Sequence, residues 1–226
     1  MIHMNIFGNI EDSNLLLEKK IFMENNLTDF KKIKGFLCHE EGLFLHKLAK
    51  INCSKSFSVE IGSYCGKSAC YIAEACKENK TYLISIDHHQ GSEEQQFGEE
   101  YFDKEIYDYK KKVVNTLPLF LKNIKKFNLS NYIKPLVLSS EEASKIVDNE
   151  IDLVFIDGSH TYKSARLDFN CWKNKIKVGG ILAIHDIYDS EQEGGQAPRE
   201  IYETALKENF VLVDRVKSLV ALRKIS

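Results

Sequence analysis

The sequence has no apolar run long enough to span a membrane, and Met1–Asp12 lacks a basic start followed by an apolar stretch. Neither a transmembrane segment nor a signal peptide is therefore expected. Excess charge is also missing: 31 basic residues face 33 acidic ones, a formal net charge of −2. Without a broad cationic field, nucleic acid is a poor partner. None of the six cysteines (Cys38, Cys53, Cys65, Cys70, Cys76, Cys171) forms a C-x-x-C pair. Three of them crowd one turn and helix, where they read as small buried hydrophobes, so a reducing cytoplasm and no disulfide framework are expected. No repeat, low-complexity linker or second domain interrupts the chain. The expectation is a single domain over 1–226, with a helical cap at 1–52 and a core at 53–226.

What is present is a regular alternation of short apolar runs and helical stretches. Residues 1–35 read as one or two capping helices, and Glu40–Ile51 places Leu43, Phe44, Lys47 and Leu48 at helical spacing. Strands are predicted at Phe57–Ile61, Tyr82–Ile86, Ile133–Leu138, Leu153–Ile156, Gly180–Ile184, Phe210–Val213 and Leu219–Leu222. A helix is predicted from Lys67 to about Lys77. Ser139-Ser140-Glu141-Glu142 opens another with a capping-box pattern, Thr161–Lys175 carries a third, and Pro198–Lys207 starts a fourth on proline. Lys110–Lys126 reads as a surface helix with snorkelling lysines. The last two strands leave no room for a helix between them and should form a hairpin. The fold class is therefore α/β: a seven-stranded, mostly parallel sheet with one antiparallel strand in a C-terminal hairpin, helices on both faces. The polar segments His88–Tyr101 and Ile187–Ala197 follow strand ends and are lid candidates.

The chain is organised around Val59–Cys70, where strand, glycine turn and helix follow one another. Such a turn faces a ligand with backbone N–H groups and a helix N-terminus, and suits a nucleotide phosphate or an adenosine-bearing cofactor. A phosphate loop needs four residues between its first glycine and Gly-Lys-Ser; here only Ser63, Tyr64 and Cys65 intervene between Gly62 and Gly66. The dinucleotide pattern fails as well, because position 64 is tyrosine. Asp87 closes the second strand 25 positions beyond Gly62, near the spacing of about 20 at which an acid meets ribose hydroxyls.

Two further clusters follow strands four and five. Asp157 ends Leu-Val-Phe-Ile-Asp, and His160 stands three residues on, where an imidazole titrating near 6.5 suits a general base. His185-Asp186 ends the next strand, so Asp157, His185 and Asp186 are candidate metal ligands. Two carboxylates with water suit Mg²⁺, whereas the imidazole suits Mn²⁺, Fe²⁺ or Zn²⁺ better. His88 and His89 alternate about the strand direction and are read as pocket-shaping or loop-bonding residues rather than joint ligands.

Taken together, Glu60-x-Gly62-x-x-x-Gly66-x-Ser68, Asp87, Asp157-Gly158-Ser159-His160 and Val178-Gly179-Gly180 leading to His185-Asp186 resemble a class I S-adenosylmethionine-dependent methyltransferase. The run Phe155–Asp186 is similar to the branch that contains macrolide-sugar O-methyltransferases. The resemblance covers roughly Phe57 to Leu222 and implies a Rossmann-like fold. It implies that Glu60, Gly62 and Ser63 hold the amino-acid end of the cofactor, that Asp87 binds its ribose, and that Ser140 and Glu141 lie at its adenine. It also implies His160 as the base in O-methylation of a small hydroxylated metabolite or sugar, with a divalent metal, Mg or Mn, and a homodimer as expectations. The alternatives are a nucleotide-phosphate-binding ATPase or kinase-like domain and a non-catalytic binding module.

Overall fold

The computed structural model describes residues 26–92, 95–99 and 101–226. Residues 1–25 of the expected N-terminal cap, and the loop residues Glu93, Glu94 and Glu100, lie outside these residues.

The elements follow the hydrophobic pattern. Helix α1 (His39–Asn52) leads to β1 (Ser58–Ile61), α2 (Lys67–Asn79) and β2 (Leu83–Ile86). A small ribbon, β3 (Tyr107–Asp108) and β4 (Val113–Val114), precedes α3 (Leu117–Lys126) and β5 (Ile133–Leu136). Then come α4 (Ser140–Ser144), β6 (Ile151–Ile156), α5 (Tyr162–Trp172), β7 (Ile176–Ile184), α6 (Ala197–Lys207) and the hairpin β8 (Phe210–Val216) and β9 (Leu219–Lys224). The sheet order is β5-β2-β1-β6-β7-β9-β8. All its pairings are parallel except β7–β9 and β8–β9, so β9 alone runs against the rest.

Alternation along each strand splits the core into two layers. Leu153, Phe155, Ile181 and Ala183 face α1, α2 and α3, where Leu45, Ile72 and Phe120 are fully buried. Val154, Ile156, Leu182 and Ile184 face the other side, against Ala165, Phe169 and Trp172 of α5 and Ile201 of α6. Each side chain of this kind stabilises by roughly 1.5–3 kcal/mol when fully buried.

One expected element differs. Lys110–Lys126 is not a continuous helix: Val113 and Val114 pair with Asp108 and Tyr107 as a ribbon, and the helix starts at Leu117. Two β-branched residues favour the extended form, and Pro118 in the first helical turn sets the start where its missing N–H costs nothing. In α1 the buried face is Glu41, Phe44, Leu45 and Leu48, while Leu43 is partly exposed. Among the described residues no helix is long and apolar enough to cross a membrane.

Candidate active site

Four parallel strands end on one rung. Ile61 pairs with Ile86 on one side and Ile156 on the other, and Ile156 pairs with Ile184. The next residues, Gly62, Asp87, Asp157 and His185, therefore stand in a row at the C-terminal edge of the sheet, the place where such sheets bind ligands. The ladder continues through them: the N–H groups of Gly62, Asp157 and His185 donate to the carbonyls of Ile86, Ile61 and Ile156 at 2.9, 2.9 and 3.1 Å.

The glycine turn is built by close approach. Gly62 has φ +86°, and a Cβ there would lie 2.1 Å from the Asp157 carbonyl oxygen. Gly66, also left-handed, heads α2. Asp87 braces the turn: its Oδ2 accepts the N–H groups of Ser63 and Tyr64 at 2.9 and 2.8 Å, and its Oδ1 accepts that of His89 at 2.7 Å. A carboxylate has about four acceptor positions, so Asp87 keeps capacity for one further hydroxyl.

Glu60 lies beneath this turn, fully buried on the α2 side of the sheet. Ser85 Oγ donates to its Oε2 at 2.7 Å, Ser63 and Ser85 share a 2.5 Å contact, and Oε1 has no hydrogen-bond partner. Burial pushes the carboxyl up to about 7, against the opposing hydroxyls of Ser68 and Ser85. Glu60 thus shapes the turn from below.

At the far end of the row, Ser140 opens α4 and its Oγ accepts the Trp172 indole N–H at 2.9 Å. Glu141 is exposed and pairs with Lys145 at 2.9 Å. Asp168 is buried against Gly158, and burial pushes its carboxyl up to about 6.

The strand-end acids meet at the centre. Asp157, His160 and Asp186 each offer one ligand atom, all within 4.8 Å of one another. His160 Nε2 lies 3.1 Å from Asp186 Oδ2, and the Tyr188 hydroxyl donates to Asp186 Oδ1 at 2.9 Å. Asp186 holds φ +58°, a left-handed conformation whose strain is of the kind stored at functional sites. Burial opposes ionisation of Asp186, but hydrogen bonds from His160 and His185 keep its carboxyl far below the usual range.

His185 stands against the two acids of this group and bridges them to α1. Its Nδ1 lies 3.0 Å from Asp157 Oδ1 and 3.3 Å from Asp186 Oδ2, and its Nε2 lies 3.2 Å from Glu41 Oε2. The ring is buried, which disfavours charge, yet Asp157 and the surrounding acceptors raise its pKa well above the ordinary value. With both nitrogens facing carboxylates, His185 acts as a cationic clamp, and the geometry groups Asp157 and Asp186 with His160 instead.

Glu41 was not singled out in the sequence. Its Oε1 accepts the N–H and hydroxyl of Ser218 at 3.0 and 2.7 Å, and its Oε2 accepts the Cys38 N–H at 3.1 Å. Burial would raise its pKa, but His185 and Ser218 bring it down to about 2. The signal was an acid at i relative to Phe44, Leu45 and Leu48, on the apolar face of its helix. His89, read as a pocket-shaping or loop-bonding residue, instead reaches out of its loop, with Nδ1 2.7 Å from Thr116 Oγ1 at the start of α3.

Sheet order and strand-end site together define a class I methyltransferase-like fold. Residues 59–187, more than half of the chain, match a family model described as a methyltransferase domain. The chain belongs to this methyltransferase-domain family. Among solved structures it is similar to the O-methyltransferase TomG from Streptomyces achromogenes, involved in tomaymycin synthesis and solved with SAM, with 12% identity, TM-score 0.59 and 91% and 90% of the two chains covered. It is similar to the SAH-bound methyltransferase PaMTH1 of Podospora anserina (14% identity, TM-score 0.62, 100% and 99% covered). The SAH-bound O-methyltransferase from Bacillus cereus matches at 15% identity and TM-score 0.58, with 90% of each chain covered. At these identities the likeness establishes the fold.

Proposed function

We propose that this chain moves a methyl group from S-adenosylmethionine to a hydroxyl oxygen of a small molecule. The observation that carries this is the single rung that sets Gly62 and Asp87 beside Asp157 and the His160–Asp186 pair. The residues fit the cofactor: Asp87, beside the glycine turn, retains capacity for a ribose hydroxyl. The solved relatives that hold SAM or SAH support the same donor.

S-adenosylmethionine supplies an electrophilic methyl whose sulfonium leaves as a neutral thioether. The chain's own residues align the acceptor and handle its proton. His160, oriented by Asp186, takes the hydroxyl proton. Asp157 and Asp186 suit a divalent cation such as Mg or Mn, which would lower the pKa of the acceptor hydroxyl. A second reading makes His160 the third ligand, favoured by the 4.8 Å spacing of the three groups.

A phosphate-binding function loses support from the turn itself. The N–H groups of Ser63 and Tyr64, which a phosphate would need, already point at the Asp87 carboxylate. The free cysteines, four of them buried, support a cytoplasmic setting. Calorimetric titration tests the core reading: S-adenosylhomocysteine should bind and ATP–Mg should not, and the reverse result would overturn it.

A further inference from the structure

Beside the strand-end cluster opens a cavity of about 360 Å³. Its floor is Glu41, His185 and Asp186, its aromatic walls are Phe36 and Tyr188, and its mouth carries Arg215 near the end of β8 and Lys217 of the turn that follows. The floor acids are committed to His185, Ser218, His160 and Tyr188 as described above. The cations at the mouth are not equally committed. Lys217 pairs with Glu40 at 3.1 Å, with 60% of that side chain exposed, and also interacts with Cys38.

Arg215 is held by backbone. Its Nε donates to the Lys217 carbonyl at 2.7 Å and one Nη to the Ile187 carbonyl at 2.9 Å. The other Nη meets Asp189 Oδ1 at 3.1 Å, and Asp189 is 67% exposed. The same oxygen lies 3.5 Å from Arg199. A pinned guanidinium with a solvent-exposed carboxylate on its free edge is an anion site whose occupant can exchange, because an exposed pair is worth about 0–1 kcal/mol. The Nη left for a ligand already meets one carboxylate oxygen, so a ligand carboxylate would repeat the charge-assisted contact that Asp189 makes.

We propose that the acceptor carries a carboxylate as well as the hydroxyl to be methylated, and that this carboxylate takes the place of Asp189 on Arg215. The proposal rests on the methyltransferase reading above and names the acceptor's chemical class. The hydroxyl lies toward Asp186 and His160, a planar body lies between Phe36 and Tyr188, and the anion lies at the mouth. Asp189 belongs to the segment Ile187–Ala197, so binding also releases one tether of that segment.

The test uses a charge series on one ring: 3,4-dihydroxybenzoate, catechol and dopamine, titrated into the whole chain saturated with S-adenosylhomocysteine and Mg²⁺. The benzoate should bind about tenfold tighter than catechol, and dopamine weakest, as a charged hydrogen bond gained or lost implies. Arg215→Gln should remove the preference for the benzoate, while Asp189→Asn, which removes the resident competitor, should tighten it. S-adenosylhomocysteine affinity reports that each variant is folded. Equal binding of the three compounds, no binding of the benzoate, or a preference that survives Arg215→Gln overturns the proposal. Failure of S-adenosylhomocysteine itself to bind overturns the methyltransferase reading, a separate outcome.

Discussion

Glu41 and His185, 144 positions apart, share a buried 3.2 Å contact that ties α1 to the end of β7. Glu41 is acidic because His185 is cationic, and His185 is cationic because Glu41, Asp157 and Asp186 surround it. Removing Glu41 leaves the Ser218 donors and one ring nitrogen of His185 without their acceptor, while Asp157 and Asp186 still face the imidazole. Glu41→Ala should therefore destabilise by about 1–3 kcal/mol, and Glu41→Gln by less, since the amide still accepts from Ser218. Urea unfolding at pH 7 checks the order. The depressed carboxyl also fixes a pH window: its contribution is present above the ordinary 4.5 and is lost as pH falls toward about 2. The gap between wild type and Glu41→Gln should narrow across that interval.

Glu60 has the opposite sign. Its carboxyl is raised to about 7 from an ordinary 4.5, so between those values the folded chain holds a proton that the unfolded chain releases. Stability from this group is full below 4.5 and declines as pH rises through 7, by at most about 3 kcal/mol. Glu60→Gln, permanently neutral, should gain on wild type as pH rises from 5 to 8. Parallel urea curves for the two proteins over that range would contradict the assignment.

Gly62→Ala combines two penalties. The left-handed φ costs on the order of 1 kcal/mol for a non-glycine residue, and the new methyl meets the Asp157 carbonyl. The expected result is a loss of several kcal/mol in stability by denaturant unfolding, together with weakened S-adenosylhomocysteine binding by calorimetry. Ordinary stability with unchanged binding would show that the turn tolerates a side chain.

His160→Ala separates its two readings. As a base, its loss should abolish methylation while S-adenosylhomocysteine and Mn²⁺ affinities stay near wild type. As a ligand, its loss should lower Mn²⁺ affinity on the order of tenfold or more, measured by electron paramagnetic resonance. Unchanged turnover excludes both roles.

The sheet was legible because every strand alternates or runs apolar, and because each site residue on the rung stands one step beyond an apolar run. Strand pairing then converts chain position into spatial adjacency, which is why Gly62, Asp87 and Asp157, far apart in the chain, stand in one row. What spacing could not supply was side-chain direction. His185 resembled a ligand beside Asp186, but Glu41 draws its Nε2 toward α1. Glu60 read as a cofactor contact, yet strand alternation sends it inward to Ser85. The segment at Lys110–Lys126 misled because its apolar spacing fits a helix throughout, and only Val113-Val114 and Pro118 mark the break.

The bond between Ser218 and Glu41 joins residues 177 positions apart. A ribosome releases the early part of the chain first, so α1, the glycine turn and β6 can form while β8 and β9 are still unmade. Until the hairpin arrives, Glu41 lacks its two Ser218 donors and the cavity has no cationic mouth. A nascent chain can thus form the glycine turn early, whereas the cavity beside the strand-end cluster is closed only after the β8–β9 hairpin has been made.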